Sequence, residues 1–111
     1  MVQVTERDFS IRLSKHRVHA GAVVLRVVNK GPVAHELIIV RSTDGPLPLR
    51  ADDVTIDEDK IKHVIVGTLE PRGPGPSRDL RLHLAPGMYS VVCNMSGHFM
   101  GGMYADLKVV E

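Results

Sequence analysis

The sequence predicts an all-β fold, a sandwich of seven or eight short strands. Three observations carry that prediction. Apolar and polar residues alternate with the two-residue period of a half-buried strand in several separate runs. Glycine and proline punctuate those runs, as at Pro71-Arg-Gly-Pro-Gly-Pro76 and Pro86-Gly87. Almost no stretch keeps a helical period. A length of 111 residues suits one domain spanning 1–111, with a single hydrophobic core and no room for a second.

The elements follow in chain order. Val2 to Thr5, Phe9 to Ser14 with Phe9, Ile11 and Leu13 in phase, and Val23 to Asn29 read as the first strands. Glu36 to Val40 leaves a glycine-proline turn as a mostly apolar strand, and Lys62 to Gly67 is a short β-branched run. Arg78 to Leu84 places Leu80, Leu82 and Leu84 on one face and Asp79, Arg81 and His83 on the other. Met88 to Cys93 and Tyr104 to Val110 complete the set. The stretch from Arg41 to Lys60, with prolines at 46 and 48 and acids at 52, 53, 57, 58 and 59, fits neither period. It is expected to be a long surface excursion with one helical turn near Ala51 to Val54.

Composition excludes several classes of function. Fourteen basic residues against 13 acidic ones give a formal charge of +1, so nothing predicts electrostatic attraction to nucleic acid or anionic lipid. Apolar residues make up 43% of the chain, yet no run approaches a membrane span, which predicts a soluble globular protein. A single cysteine forms no intramolecular disulfide.

That cysteine lies in the most informative segment, Cys93-Asn-Met-Ser-Gly-His98-Phe-Met-Gly-Gly-Met103, where a thiol, an imidazole and a thioether recur at intervals of five residues. A thiolate and two imidazoles in a plane with a weak axial methionine sulfur is the ligand set of a mononuclear copper site. The best second imidazole is His35, in Asn29-Lys-Gly-Pro-Val-Ala-His35-Glu, fed by a turn into an apolar strand. Strand parity tests the assignment. Met103 shares the inward phase of Ala105, Leu107 and Val109; Cys93 that of Tyr89 and Val91; His35 that of Leu37 and Ile39. All three therefore converge at one end of the sandwich, with His98 closing the site from a loop that Gly97, Gly101 and Gly102 allow to bend. Met100 is a rival axial ligand that spacing alone does not remove, although parity favours Met103.

These segments, with Pro86-Gly-Met-Tyr-Ser-Val-Val-Cys93, resemble the cupredoxins, the small blue copper electron carriers. The four-residue gaps on either side of His98 are similar to those of rusticyanin and auracyanin and unlike those of plastocyanin. The likeness covers most of Val23 to Val110. It implies a Greek-key β-sandwich, one type 1 copper ion held by His35, Cys93, His98 and Met103, and one-electron transfer in the periplasm or elsewhere outside the cytoplasm. One departure stands out: many blue copper proteins carry asparagine after the first histidine, where this chain has Glu36, and Asn94 is the candidate to replace that asparagine's hydrogen bonding.

A closed four-ligand cage leaves no open position for substrate, so an electron carrier is expected and not an enzyme. The alternative is a copper-handling protein that stores or delivers the ion, for which Met95 and Met100 are suitable soft donors. Zinc also suits a Cys-His-His set. Pro32, Val33, Met95, Phe99 and Met100 are expected to surround His98 as an apolar patch for a redox partner, on a chain expected to be monomeric. His16, His19, His63 and His83 receive no role, Asp57-Glu58-Asp59 reads as a solvated loop, and Tyr89 and Tyr104 read as core or rim residues.

Overall fold

A computed structural model describes residues 1–42, 47–51, 55–95, 98 and 102–111. Alternating valines, leucines and isoleucines build two sheets among them. The first has the order β2 (Ser10–Leu13), β1 (Val2–Arg7), β4 (Gly21–Asn29), β7 (Arg78–Leu84). The second has the order β3 (Arg17–His19), β9 (Tyr104–Val110), β8 (Gly87–Val92), β5 (His35–Arg41), β6 (Ile65–Arg72). Strands β1 and β4 are parallel, as are β3 and β9, and the other pairs are antiparallel. The connections β2–β3, β3–β4, β4–β5, β6–β7 and β7–β8 carry the chain back and forth between the sheets, as a sandwich with crossed connections requires.

The β-sandwich is the predicted fold, with nine strands among the described residues where seven or eight were expected. The added strand is β3, three residues with only Val18 partly buried, too short to show a period. It is held against β9 by backbone pairing, and the His16 and His19 side chains reach the carbonyls of Asp106 and Glu111, both at 3.1 Å.

The main core fills the space between the sheets with Val2, Val4, Val23, Leu25 and Val27 on one side and Leu37, Ile39, Val91, Leu107 and Val109 on the other. Removing such apolar surface from water is the dominant stabilisation. Tyr89 joins this core, and its hydroxyl donates to the Ala85 carbonyl at 2.7 Å, which satisfies the one polar atom that its burial would otherwise strand. Gly67 of β6 faces β7 so closely that a Cβ there would lie 2.6 Å from Leu82 Cδ2.

Three expectations change in detail. Phe9 does not begin a strand in phase with Ile11; Arg7 pairs with Ser10, so Asp8 and Phe9 form a two-residue turn, in which Phe9 adopts φ 62° and is 54% exposed. The run from Lys62 splits, residues Lys62–Val64 forming a 3-10 turn before β6, and β6 continues through Pro71 to Arg72. Proline is accommodated there because β6 is a sheet edge and owes no donor to an outer neighbour. Asp57-Glu58-Asp59 is the start of a helix, α1 (Glu58–Ile61), with acids in its first turn, where they favour the positive end of the helix dipole. The helical turn expected near Ala51 to Val54 falls on residues 52–54, outside the described residues.

The excursion before β6 is more than a solvated loop. Ile56 and Ile61 are buried against Ile38, Val40 and Val92, the residues of β5 and β8 that point away from the main core. This second small core explains why β5 is apolar on both faces.

Candidate metal centre

The metal-binding end of the sandwich lies where β5 begins, β8 ends and β9 begins. His35 opens β5 after a turn stapled by Asn29, whose buried carboxamide Nδ2 donates to the carbonyls of Val33 (2.9 Å) and Arg72 (2.8 Å) while its Oδ1 accepts the Gly31 N–H at 2.7 Å. Gly31 has φ 84° and its missing Cβ would stand 2.9 Å from Pro74, so only glycine fits this corner. Cys93 follows β8 directly, and its N–H donates to the Met103 carbonyl at 3.1 Å. The N–H of Met103 donates to His98 at 3.0 Å, and that of His98 to Met95 at 2.9 Å. These bonds fold the ligand loop back so that both ends and its middle meet.

His35, Cys93 and Met103 are fully buried, and His98 is half-buried at the rim. His35 Nδ1 lies 3.2 Å from His98 Nδ1, while Cys93 Sγ lies 3.9 Å from the first and 3.5 Å from the second. Metal bonds of about 2.0 Å to nitrogen and about 2.3 Å to sulfur at trigonal angles would put the donors roughly 3.5–3.8 Å apart. The observed separations bracket those values, so the three donors fit one ion between them. Among the described residues they are the only such group of histidine, cysteine or acidic side chains. Met103 is buried in the inward phase that parity predicted, and its backbone bonds to Cys93 and His98; Met100, its rival, lies outside the described residues.

Burial favours the neutral forms of His35 and Cys93 before metal uptake. Burial, reinforced by neighbouring His98, holds His35 below the usual imidazole range, which leaves a lone pair free on the ring. Burial pushes the Cys93 thiol up to about 11, against the pull of backbone N–H groups of Met95 and Glu36. Those N–H groups are the donors that a thiolate would use.

The expected substitution of Asn94 for the missing asparagine is answered differently. Glu36 Oε1 accepts the Asn94 N–H at 3.0 Å, so the acid itself ties β5 to the ligand loop. The Asn94 side chain turns the other way: Oδ1 accepts from Ile56 N–H at 2.6 Å, and Nδ2 donates to the Ile56 carbonyl (3.0 Å) and Glu58 Oε2 (2.7 Å). Burial is the main cause that raises Glu36 above the ordinary carboxylate range, with Glu58 adding to it.

Sequence reasoning missed two neighbours of the site, both in the β1–β2 turn. Asp8 Oδ1 lies 3.2 Å from His35 Nε2, and the Phe9 ring meets His98 edge-on, centroids 5.9 Å apart at 80°. A two-residue turn between in-phase strands was the available signal, but which loop covers which ligand is not written in either segment. Pro32 and Val33 are exposed beside the site and Met95 is half-buried, whereas Phe99 and Met100 lie outside the described residues.

Solved structures similar to this one share the fold. Auracyanin B superposes with a TM-score of 0.73 at 21% identity over 99% of this chain and 88% of that one. Dithionite-reduced auracyanin from Roseiflexus castenholzii gives 0.71 at 19% identity, over 98% and 95%. Rusticyanin from Thiobacillus ferrooxidans gives 0.65 at 20% identity, over 96% and 75%. Among curated protein sequences none matches significantly. The family model for the sulfocyanin (SoxE) domain matches residues 15–111, which hold strands β3 to β9 and every donor of the site, and the chain therefore belongs to the sulfocyanin family of cupredoxins, the type 1 blue copper proteins.

Proposed function

We propose that the protein is an extracytoplasmic electron-transfer protein and not an enzyme, a single domain that holds one copper ion with His35, Cys93, His98 and Met103. The observation that carries this reading is the convergence of a thiol and two imidazoles, with donor atoms within 4.8 Å of one another, at the buried end of a rigid sandwich. Copper, when bound, supplies a one-electron couple between Cu(I) and Cu(II). The chain's residues do the rest. His35 opens β5 and Cys93 directly follows its neighbour β8, so hydrogen bonding between the two strands holds the segments that carry them together. Burial of Cys93, His35 and Met103 keeps water from an open coordination position, which disfavours substrate chemistry.

His98, at the rim, is the route for the electron. Pro32, Val33 and Met95 offer the apolar surface on which a redox protein docks, and weak encounters of this kind need only a small interface; Phe99 and Met100, expected in the same patch, lie outside the described residues. The domain works as a monomer without nucleic acid. Among the described residues no helix is long and apolar enough to cross a membrane.

An optical spectrum of the copper-loaded protein tests the reading. Cu(II) should give an intense visible thiolate-to-copper absorption that Cys93→Ser abolishes. Absence of that band, or its survival in the variant, overturns the site. Stopped-flow oxidation measured beside copper transfer to a chelator separates carrier from copper-handling protein: fast electron exchange with slow metal loss is expected, and the reverse favours storage or delivery. Val33→Lys should slow reaction with a protein redox partner while leaving the spectrum unchanged.

A further inference from the structure

The β1–β2 turn is built onto the metal centre. Its backbone is anchored by the Asp8 N–H, which donates to the Gly31 carbonyl at 3.2 Å, and Gly102 of the ligand loop packs so close that a Cβ there would lie 3.2 Å from the Phe9 carbonyl. A phenylalanine at φ 62° occupies a corner that ordinarily takes glycine or asparagine. Strained residues of this kind persist where the surroundings hold them, and they cluster at functional sites. Here the strain sets Phe9 over His98 and Asp8 over His35.

Asp8 does not spend its carboxylate on the turn. The side chain is 31% exposed, yet Oδ1 is shut off from solvent and faces His35 Nε2 at 3.2 Å. Nδ1 of the same ring is the nitrogen that faces Cys93 and His98, so a His35 ready to bind metal must carry its proton on Nε2, the nitrogen that faces Asp8. Neither Nε2 nor Oδ1 has an aligned hydrogen-bond partner, and the other acceptor beside the ring is the neutral Gly31 carbonyl. A carboxylate behind a metal-bound imidazole fixes its tautomer and raises its basicity.

We propose that Asp8 is a positioning residue for the metal centre: its carboxylate accepts the Nε2 proton of His35, selects the tautomer that leaves Nδ1 free for the metal, and favours the more highly charged Cu(II) over Cu(I). The tautomer clause concerns the metal-free protein, while the Cu(II) clause rests on the copper reading of the site.

The test has two arms. Long-range nitrogen–proton NMR of the metal-free wild-type protein should find the His35 proton on Nε2, with Asp8→Ala giving a mixture and Asp8→Asn, which keeps an acceptor, preserving the tautomer. In the copper-loaded protein Asp8→Asn should weaken Cu(II) about tenfold relative to Cu(I), a rise of about 59 mV in reduction potential. Asp106→Asn, an exposed acid on β9, is the control and should shift the potential far less. A His35 proton on Nδ1 in the wild type, or a potential in Asp8→Asn no higher than in the control, overturns the proposal and leaves the Gly31 carbonyl as the group that holds the ring. Failure of wild-type protein to give a copper–thiolate absorption would overturn the copper reading and the Cu(II) clause, and the NMR arm would still decide the tautomer.

Discussion

Cys93 shows how burial shapes the chemistry at the scale of one residue. Its thiol is raised to about 11, so below that pH the metal-free protein holds a proton there that copper must displace. Copper uptake near pH 8 should release one proton from Cys93, and apparent affinity should rise about tenfold for each pH unit over the range where that is the only group to deprotonate. Calorimetric titration in buffers of different ionisation enthalpy measures the proton count directly. Met103 is the second residue with a sharp expectation. Removing a weak thioether leaves the plane of stronger donors intact and costs Cu(II) more than Cu(I). Met103→Leu should retain copper and raise the reduction potential by on the order of 60 mV, a tenfold change in relative affinity, while Met100→Leu changes it little. Voltammetry of both variants decides, and exchanged outcomes would make Met100 the ligand. The buried, inward placement of Cys93 and Met103 was legible from parity, because a short loop between two paired strands leaves few places for its ends to go.

At the scale of the element, the segment between β5 and β6 hangs on one side chain. Asn94 makes three hydrogen bonds to Ile56 and Glu58, and it is buried. Truncation strands the Ile56 N–H and C=O in an apolar layer, where each orphaned group costs about 1–3 kcal/mol. Asn94→Ala should therefore destabilise the fold by about 2–4 kcal/mol, with a lower midpoint in urea denaturation. The Cys93 ligand loop keeps its tie to Glu36 because that bond uses the Asn94 backbone, so the visible absorption should survive. Loss of the absorption with stability unchanged would show that the asparagine serves the metal instead. Nothing in the sequence around Arg41 to Lys60 announces this role. The segment has no period of its own because Leu47 and Ile56, with Ile61 just beyond it, are spaced to fit the back of a sheet formed elsewhere.

At the scale of the whole molecule the least expected feature is an acid in the core. Glu6 continues the inward phase of Val2 and Val4, is fully buried, and neither carboxylate oxygen has a hydrogen-bond partner. Burial raises it from an ordinary 4.5 to about 7, opposed by Arg78 and assisted by Glu36. The folded protein thus holds a proton between those values that the unfolded chain has already released. Stability should therefore fall as pH rises from about 4.5 to about 7, by roughly 3 kcal/mol in total, and level off above. Glu6→Gln keeps the shape without the charge and should flatten that slope, leaving the variant more stable than wild type at pH 8 and little changed at pH 4. Thermal unfolding of the metal-free proteins across this range checks it, and parallel curves for the two would refute the assignment.

Local sequence rules were enough to read the sandwich, the phase of nearly every strand and the three donors that the fold brings together, His35, Cys93 and His98. Each follows from local rules: a two-residue period sets the inward face, and ligands at strand ends inherit it. Leu80, Leu82 and Leu84 against Asp79, Arg81 and His83 needed no neighbour to be read, and neither did Cys93 against Tyr89 and Val91. Contacts between segments far apart in the chain came from the assembled fold. It brought Asp8 to His35 and Phe9 to His98, turned the Asn94 side chain toward Ile56, and gave Glu36 a bond to the ligand loop. Periodicity fixes which way a side chain points, whereas its partner depends on how two sheets and their connecting turns are stacked, which no single segment encodes.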